Sequence, residues 1–284
     1  MTRIVLVSAV TLALAACGGG SKSGALPVVA SSNVYGDIVS QIGGSHVSVK
    51  SILTDPSADP HLFEPGTANG LAVSKARVVV QNGLGYDDFM TKLENAAPSS
   101  KRHVLVVADA IPHTSNPHLW YDVPAMPRVA AAIARELAAA DPKHAADYRA
   151  GERRFAASLA PVIAAIHALP AGAPVAYTEP VPGYLAEAAR LRNLAPDSFT
   201  RQIEEGNEPS AGAVSEMNAL ITQHRIKVLL YNQQAVSPIT SRLRKLALRE
   251  KIAVVPITET LPPHLDYQQW QLGQIDALKR ALAR

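Results

Sequence analysis

Four side chains in this sequence combine the donor types that a divalent cation takes. His61 stands in Asp59-Pro60-His61-Leu62-Phe63-Glu64-Pro65 and His118 in Asn116-Pro117-His118-Leu119-Trp120. Glu179 stands in Thr178-Glu179-Pro180, and Glu259 in Thr258-Glu259-Thr260. Two neutral imidazoles and two carboxylates balance the charge of one divalent ion, and a mixed N/O set suits borderline and hard first-row metals; nothing in it is soft enough for Cu(I). Taken singly, a loop histidine is more often a surface or core residue than a ligand, and a lone glutamate more often a cap or a solvated charge. Proline before each histidine stiffens its loop and fixes the direction of the ring. The conjunction of all four points to a metal site.

Such residues need a frame that brings distant segments together. From Leu26 onward, short apolar runs alternate with helical stretches. Strands are predicted over 27–31, 47–53, 77–81 and 103–108, with helices near 35–42, 68–75 and 86–95. Then the texture changes to an Ala-rich helix over 124–140 and a long apolar-periodic helix over 143–169, which Pro161 should kink or split. A second series follows: strands over 175–178, 227–231 and 253–257, with helices near 183–192, 210–224, 239–250 and 267–283. This grammar predicts an α/β fold of two lobes, each a mostly parallel sheet with helices on both faces, joined by a long connecting helix. The lobes are expected at 26–141 and 171–284, with the connecting helix at 142–170. Ligands bind beyond the carboxyl ends of strands in open α/β sheets, and all four candidates lie just after predicted strands, two from each lobe.

The chain has 284 residues, 48% of them hydrophobic, with a formal net charge of only +3 and a single cysteine. That charge is too small to predict a nucleic-acid surface, and one cysteine excludes a disulfide framework. Residues 1–16 read as a signal peptide: Arg3, then an apolar run too short to span a bilayer. Leu14-Ala15-Ala16-Cys17 resembles a bacterial lipobox, in which Cys17 becomes the lipidated first residue, and a Gly/Ser tether over 17–25 follows it. The mature protein is thus expected to be exported and anchored by lipid, facing the periplasm or the cell exterior.

The motif around His61 resembles the Asp-Pro-His-x-aromatic-Glu-Pro signature of the metal-specific (zinc/manganese) solute-binding lipoproteins of ABC importers. Asn82-Gly83-Leu84-Gly85-Tyr86 is similar to that family's Asn-Gly-Leu turn, and Asn116-Pro117-His118-Leu119-Trp120 to its second histidine motif. Ile203-Glu204-Glu205-Gly206-Asn207-Glu208-Pro209-Ser210 resembles the family's Glu-Pro approach to a helix. The resemblance implies a rigid two-lobed receptor that binds one ion between its lobes, acts as a monomer and delivers the ion to a membrane permease. It places the family's four ligands on His61, His118, Glu179 and Glu259. The third position is histidine in many zinc receptors and glutamate in manganese-type members. The fourth is usually aspartate, so Glu259 is longer by one methylene. The His-rich loop of some zinc receptors is missing; only His113 stands near His118.

Asp59, Glu64, Asn116 and Asp122 are candidates to orient the imidazoles, and His264 and Asp266 lie near Glu259 in sequence. The expected cargo is Zn²⁺ or Mn²⁺, with Fe²⁺ behind both: carboxylates favour manganese, whereas the Irving–Williams order favours zinc. An exported metallohydrolase is the first alternative, but it needs an open coordination position and a base, and His-Glu-x-x-His and Gly-x-Ser-x-Gly are both absent. A surface adhesion lipoprotein fits the anchor and leaves the four strand-end residues unexplained. Because imidazole and carboxylate must give up their protons to ligate, metal affinity is expected to fall as the pH is lowered from 7 toward 5. A competitive chelator titration showing constant affinity across that range would contradict histidine ligation.

Overall fold

The computed structural model describes residues 24–284. The signal peptide at 1–16, the lipidation of Cys17 and all but the last two residues of the tether lie outside the described residues. Among the described residues no helix is long and apolar enough to cross a membrane.

Val28, Val29, Val78, Val79, Val80, Val228, Leu229 and Leu230 are buried. Continuous apolar runs of this kind are what parallel strands need when helices cover both faces of the sheet. The first lobe runs β1 (Leu26–Ser32), α1 (Asn33–Gly43), β2 (Val47–Leu53), α2 (Thr67–Lys75), β3 (Val78–Gln81), α3 (Asp88–Ala96), β4 (His103–Val106) and α4 (Met126–Ala140). Two helices follow, α5 (Ala145–Ser158) and α6 (Ala160–His167). The second lobe holds β5 (Pro174–Tyr177), α7 (Gly183–Ala188), β6 (Arg192–Asn193), α8 (Asp197–Glu204), α9 (Ala211–Thr222), β7 (Val228–Asn232), α10 (Pro238–Arg249), β8 (Ala253–Ile257) and α11 (Tyr267–Leu282).

Both sheets are parallel and share one strand order, β2-β1-β3-β4 and β6-β5-β7-β8. In each, the chain leaves the first strand in one direction and returns in the other, so the crevice at the carboxyl ends opens between β1 and β3 and between β5 and β7. The register is continuous: Val28, Val29 and Ala30 face Val78, Val79 and Val80, and Val228 to Asn232 face Ala253 to Ile257.

The structure departs from the sequence reading in two places, and it splits the connecting helix as Pro161 implies. The expected strand over 103–108 stops at Val106, because Val107–Ala110 wind into a 3-10 turn. The two-residue β6 and the short helix α8 carry too few apolar positions to announce themselves. The connecting segment is two helices rather than one. Pro161 has no N–H to give the Ala157 carbonyl, and the chain breaks at Leu159, whose N–H reaches back to Ala156 at 3.3 Å. That break lets α5 pack on α1 and α4 while α6 packs on α7 and α11.

One contiguous apolar core passes through both lobes, including Val79, Ile133, Phe155, Leu159, Val228, Ile257 and Tyr267. A smaller core around Phe199, Met217, Leu229 and Leu243 also packs within the second lobe. Helix α11 reaches back to the first lobe: the Tyr267 N–H donates to Asp37 at 2.9 Å, and Gln268 and Gln41 exchange amide hydrogen bonds at 2.9 Å. The approach of α5 to α1 is tight at Gly151, where a Cβ would stand 2.1 Å from the Ile42 carbonyl oxygen. Alanine in a helix normally stabilises relative to glycine. Here the clash is with backbone, so Gly151→Ala is expected to destabilise by about 1–3 kcal/mol, read from the urea midpoint. An unchanged or raised midpoint would show that α1 and α5 separate freely.

Candidate metal centre

His61 follows β2 in a loop that returns toward the crevice. Pro60-His61-Leu62 form one 3-10 turn, capped by Asp59, whose Oδ1 accepts the His61 N–H at 2.9 Å. The loop is held from the second lobe: Gln234 Nε2 donates to the Ala58 carbonyl at 3.0 Å, and Thr260 Oγ1 to the Asp55 carbonyl at 3.4 Å.

His118 is positioned by two asparagines. Asn116 Oδ1 accepts the His118 N–H at 3.1 Å and sits 2.8 Å from Nδ1. Asn116 Nδ2 donates to the Pro180 carbonyl of the second lobe at 2.8 Å, which settles which end of the amide faces the ring. Nδ1 therefore carries the proton, and Nε2 presents its lone pair. Asn82 Nδ2 donates to the Pro117 carbonyl at 2.8 Å. Asn82 is itself set by the turn that follows it, in which Gly83, Leu84 and Gly85 all have positive φ and Asp87 accepts the N–H groups of Asn82 and Gly83. The Asn-Gly-Leu turn thus fixes the backbone of the second histidine motif. The Tyr86 ring meets both imidazoles edge-on, at 5.8 Å between centroids, and wedges them apart.

Glu179 follows β5, and Glu259 follows β8. Both are buried, as is His118, whereas the His61 side chain keeps 23% of its surface exposed. Gln234 Oε1 accepts the Glu259 N–H at 2.6 Å. Donor atoms of His61, His118 and Glu259 lie within 4.8 Å of one another. Glu259 Oε2 is 3.4 Å from His118 Nε2 and 3.8 Å from His61 Nε2. Ligand atoms around one tetrahedral zinc stand ~3.3 Å apart, so these spacings suit donors shared by one ion. Glu179 lies outside that trio and is tied to it through Asn232, whose Nδ2 donates to Glu179 Oε2 and, at 2.7 Å, to Glu259 Oε1. His118 Nε2, Glu259 Oε2 and Glu179 Oε1 are buried without a hydrogen-bond partner.

The other candidates divide. Asp59 and Asn116 each hold a histidine. Asp122 instead accepts the Ala125 N–H at 3.3 Å and caps a turn, and Glu64 is exposed. Among the described residues neither hydrogen-bonds an imidazole. His264 is exposed at a positive-φ turn, and Asp266 caps α11 by accepting the Gln269 N–H at 2.7 Å. Sequence reasoning assigned no role to Glu204 at the end of α8, whose Oε1 is buried, unpartnered and 3.8 Å from His118 Nδ1. Its only signal was a place in the Glu-rich stretch before Pro209. Asn232 and Gln234 were also missed, since amides beyond a strand carry no signature of their own.

Crowding around two imidazoles pushes the protonation of the four carboxyls of Glu179, Glu204, Glu259 and Asp59 in different directions. Burial, then the neighbouring Glu259, holds the Glu179 carboxyl well above the usual range. Burial raises Glu204 and Asp59 as well. Burial alone would raise Glu259 too, but when His118 and His61 carry a charge they, with the Asn232 hydrogen bond, bring it below the usual value.

The sequence profile of the family described as ZnuA, zinc-uptake complex component A periplasmic, matches residues 28–281. A putative metal-binding protein of Treponema pallidum is 23% identical across 283 aligned positions that cover 91% of this chain and 88% of the relative. The manganese-binding lipoprotein MntA of Bacillus subtilis is 29% identical over 159 positions, about half of each chain at 51%. Among solved structures, the periplasmic zinc binding protein TroA of Treponema pallidum superposes with a TM-score of 0.78 at 20% identity, covering 92% of this chain and all of that one.

A carboxyl with a raised native pKa keeps its proton where the unfolded chain has lost it, so its contribution to stability falls as pH rises through that interval. Glu179→Gln removes this term while leaving an oxygen for Asn232. The metal-free Gln variant is expected to gain melting temperature relative to wild type as pH is raised from 5 to 8. Parallel melting curves across that range would show that Glu179 is ionised in the folded protein.

Proposed function

We propose, for a chain that belongs to the family of periplasmic zinc-uptake component A proteins, that His61, His118, Glu179 and Glu259 close on one divalent transition-metal ion between the two lobes. The protein is an extracytoplasmic receptor. It takes Zn²⁺ or Mn²⁺ as cargo, catalyses no reaction, and passes the ion to the membrane permease of an ABC importer. The observation that supports this ligand set is the convergence of donor atoms of His61, His118 and Glu259, with Glu179, tied to Glu259 through Asn232, presenting a further buried and unpartnered oxygen. A buried polar atom without a partner costs about 1–3 kcal/mol, a cost that ligation of a cation removes.

Two donors come from the lobe at 26–141 and two from the lobe at 171–284, so the ion ties the lobes together while the 142–170 segment keeps them in register. Asp59 and Asn116 aim the histidines. Glu64 and Asp122 take no part. Cys17 carries the lipid anchor, its tether lets the receptor face outward from the membrane, and the receptor works as a monomer.

Cargo binds the folded chain and not the unfolded one, so at a hundredfold excess over Kd it stabilises by about 2.7 kcal/mol. His118→Ala is expected to abolish the metal-induced rise in melting temperature and to leave less than one equivalent of metal after dialysis. His264→Ala should keep both. Retention of a full equivalent by His118→Ala, measured by elemental analysis, would refute the ligand set.

A further inference from the structure

Asn232 stands between the two carboxylates at the carboxyl end of β7, buried and fully engaged. Its Oδ1 accepts the backbone N–H of Gln234 at 3.0 Å. A backbone amide only donates, so this contact fixes the amide's orientation and turns both hydrogens of Nδ2 toward the glutamates. One reaches Glu259 Oε1 at 2.7 Å, and the other reaches Glu179 Oε2. Each carboxylate thereby has one oxygen engaged and one oxygen, Glu259 Oε2 and Glu179 Oε1, buried without a partner. On the opposite side, Asn116 engages Nδ1 of His118 and leaves only Nε2.

We propose that Asn232 is a specificity-determining residue: by occupying one oxygen of each glutamate it restricts both to monodentate ligation, caps the site at two nitrogens and two oxygens, and selects zinc over manganese. The inference rests on the ligand set proposed above. Glutamates are usually read as manganese ligands because a carboxylate can offer both oxygens to an ion of higher coordination number. Here those second oxygens are held by the amide. Four mixed N/O donors satisfy Zn²⁺, which is commonly tetrahedral, whereas Mn²⁺ favours six-coordinate, oxygen-rich shells. Gln234 reinforces the arrangement, since its Oε1 accepts the N–H groups of both Glu259 and Thr260 and stops the loop from turning the carboxylate.

The test combines zinc X-ray absorption on the unaltered protein with competitive chelator titrations of Zn²⁺ and Mn²⁺ on wild type, Asn232→Ala and Asn232→Ser. Alanine frees both glutamate oxygens; serine retains a hydroxyl for one of them. The expected result is four light ligand atoms around zinc in the wild type. The ratio of zinc to manganese affinity should fall about tenfold or more in Asn232→Ala, the usual scale for outer-sphere partners of a metal site, and by less in Asn232→Ser. Five or six ligand atoms in the wild type, or an affinity ratio unchanged in both variants, would overturn the role of Asn232 while leaving the receptor intact. Failure of the wild type to retain either ion would overturn both readings. The coordination number is read on the unaltered chain and decides the question even where a variant fails to fold.

Discussion

Burying Glu179, Glu259 and one oxygen of Glu204 beside two histidines is the constraint around which this molecule is organised. A carboxylate removed from water is tolerated only when something replaces its solvation. The fold supplies part of that replacement: Asn232 for one oxygen of Glu179 and one of Glu259, and Gln234 for the backbone at Glu259. It withholds the rest. His118 Nε2 and one oxygen on each of Glu179, Glu204 and Glu259 are buried with no partner in the protein. A polar set of this kind costs stability, which the cation proposed for His118, Glu179 and Glu259 would offset. Burial at the crevice thus lowers the stability of the fold and leaves a site whose unpartnered atoms favour positive charge.

Holding the donors in place requires the two lobes to act as one frame. The histidines belong to one lobe and Glu179 and Glu259 to the other, and the bonds that aim them cross between lobes. Asn116 binds the Pro180 carbonyl, Gln234 the Ala58 carbonyl, and Asn33 both the N–H and the carbonyl of Leu261. Behind them, Tyr121 donates to the Thr258 carbonyl at 2.6 Å and Tyr267 to the Trp120 carbonyl at 2.6 Å. Each of these ties a residue next to a donor to the opposite lobe. A shared apolar core and the packing of α11 against α1 join the lobes further, and His61 is the most exposed of the four candidate ligands.

The two sheets share one strand order, yet they use their crevices differently. The first lobe sends histidines in on long loops after its outer strands β2 and β4, stiffened by proline and capped by Asp59 and Asn116. The second places glutamates directly at the ends of β5 and β8, with Asn232 at the end of β7 between them. Hydrogen-bonded loops thus face donors rooted in the sheet.

Much of this was legible in the residues. Alternating valine-rich runs and helical stretches specified two α/β lobes, since periodicity is local and survives without tertiary context. Pro-flanked His61 and His118, and Glu179 and Glu259 just past strand ends, marked the crevice because chemistry-bearing types at strand ends are visible in one dimension. Pro161 announced the break in the connecting helix, since the missing N–H belongs to the residue itself. Tertiary structure alone decided the rest. Glu204, Asn232 and Gln234 are ordinary polar residues in sequence; they matter because of what stands opposite them across the fold. Asp122 looked as eligible as Asp59, and it was the packing that made Asp59 the cap of the His61 turn and Asp122 a cap elsewhere. Whether a polar atom has a partner depends on every neighbour it meets after folding, and those neighbours come from separate segments: Asn232 meets Glu259 27 residues away and Glu179 53 away, and Gln234 meets Ala58 176 away.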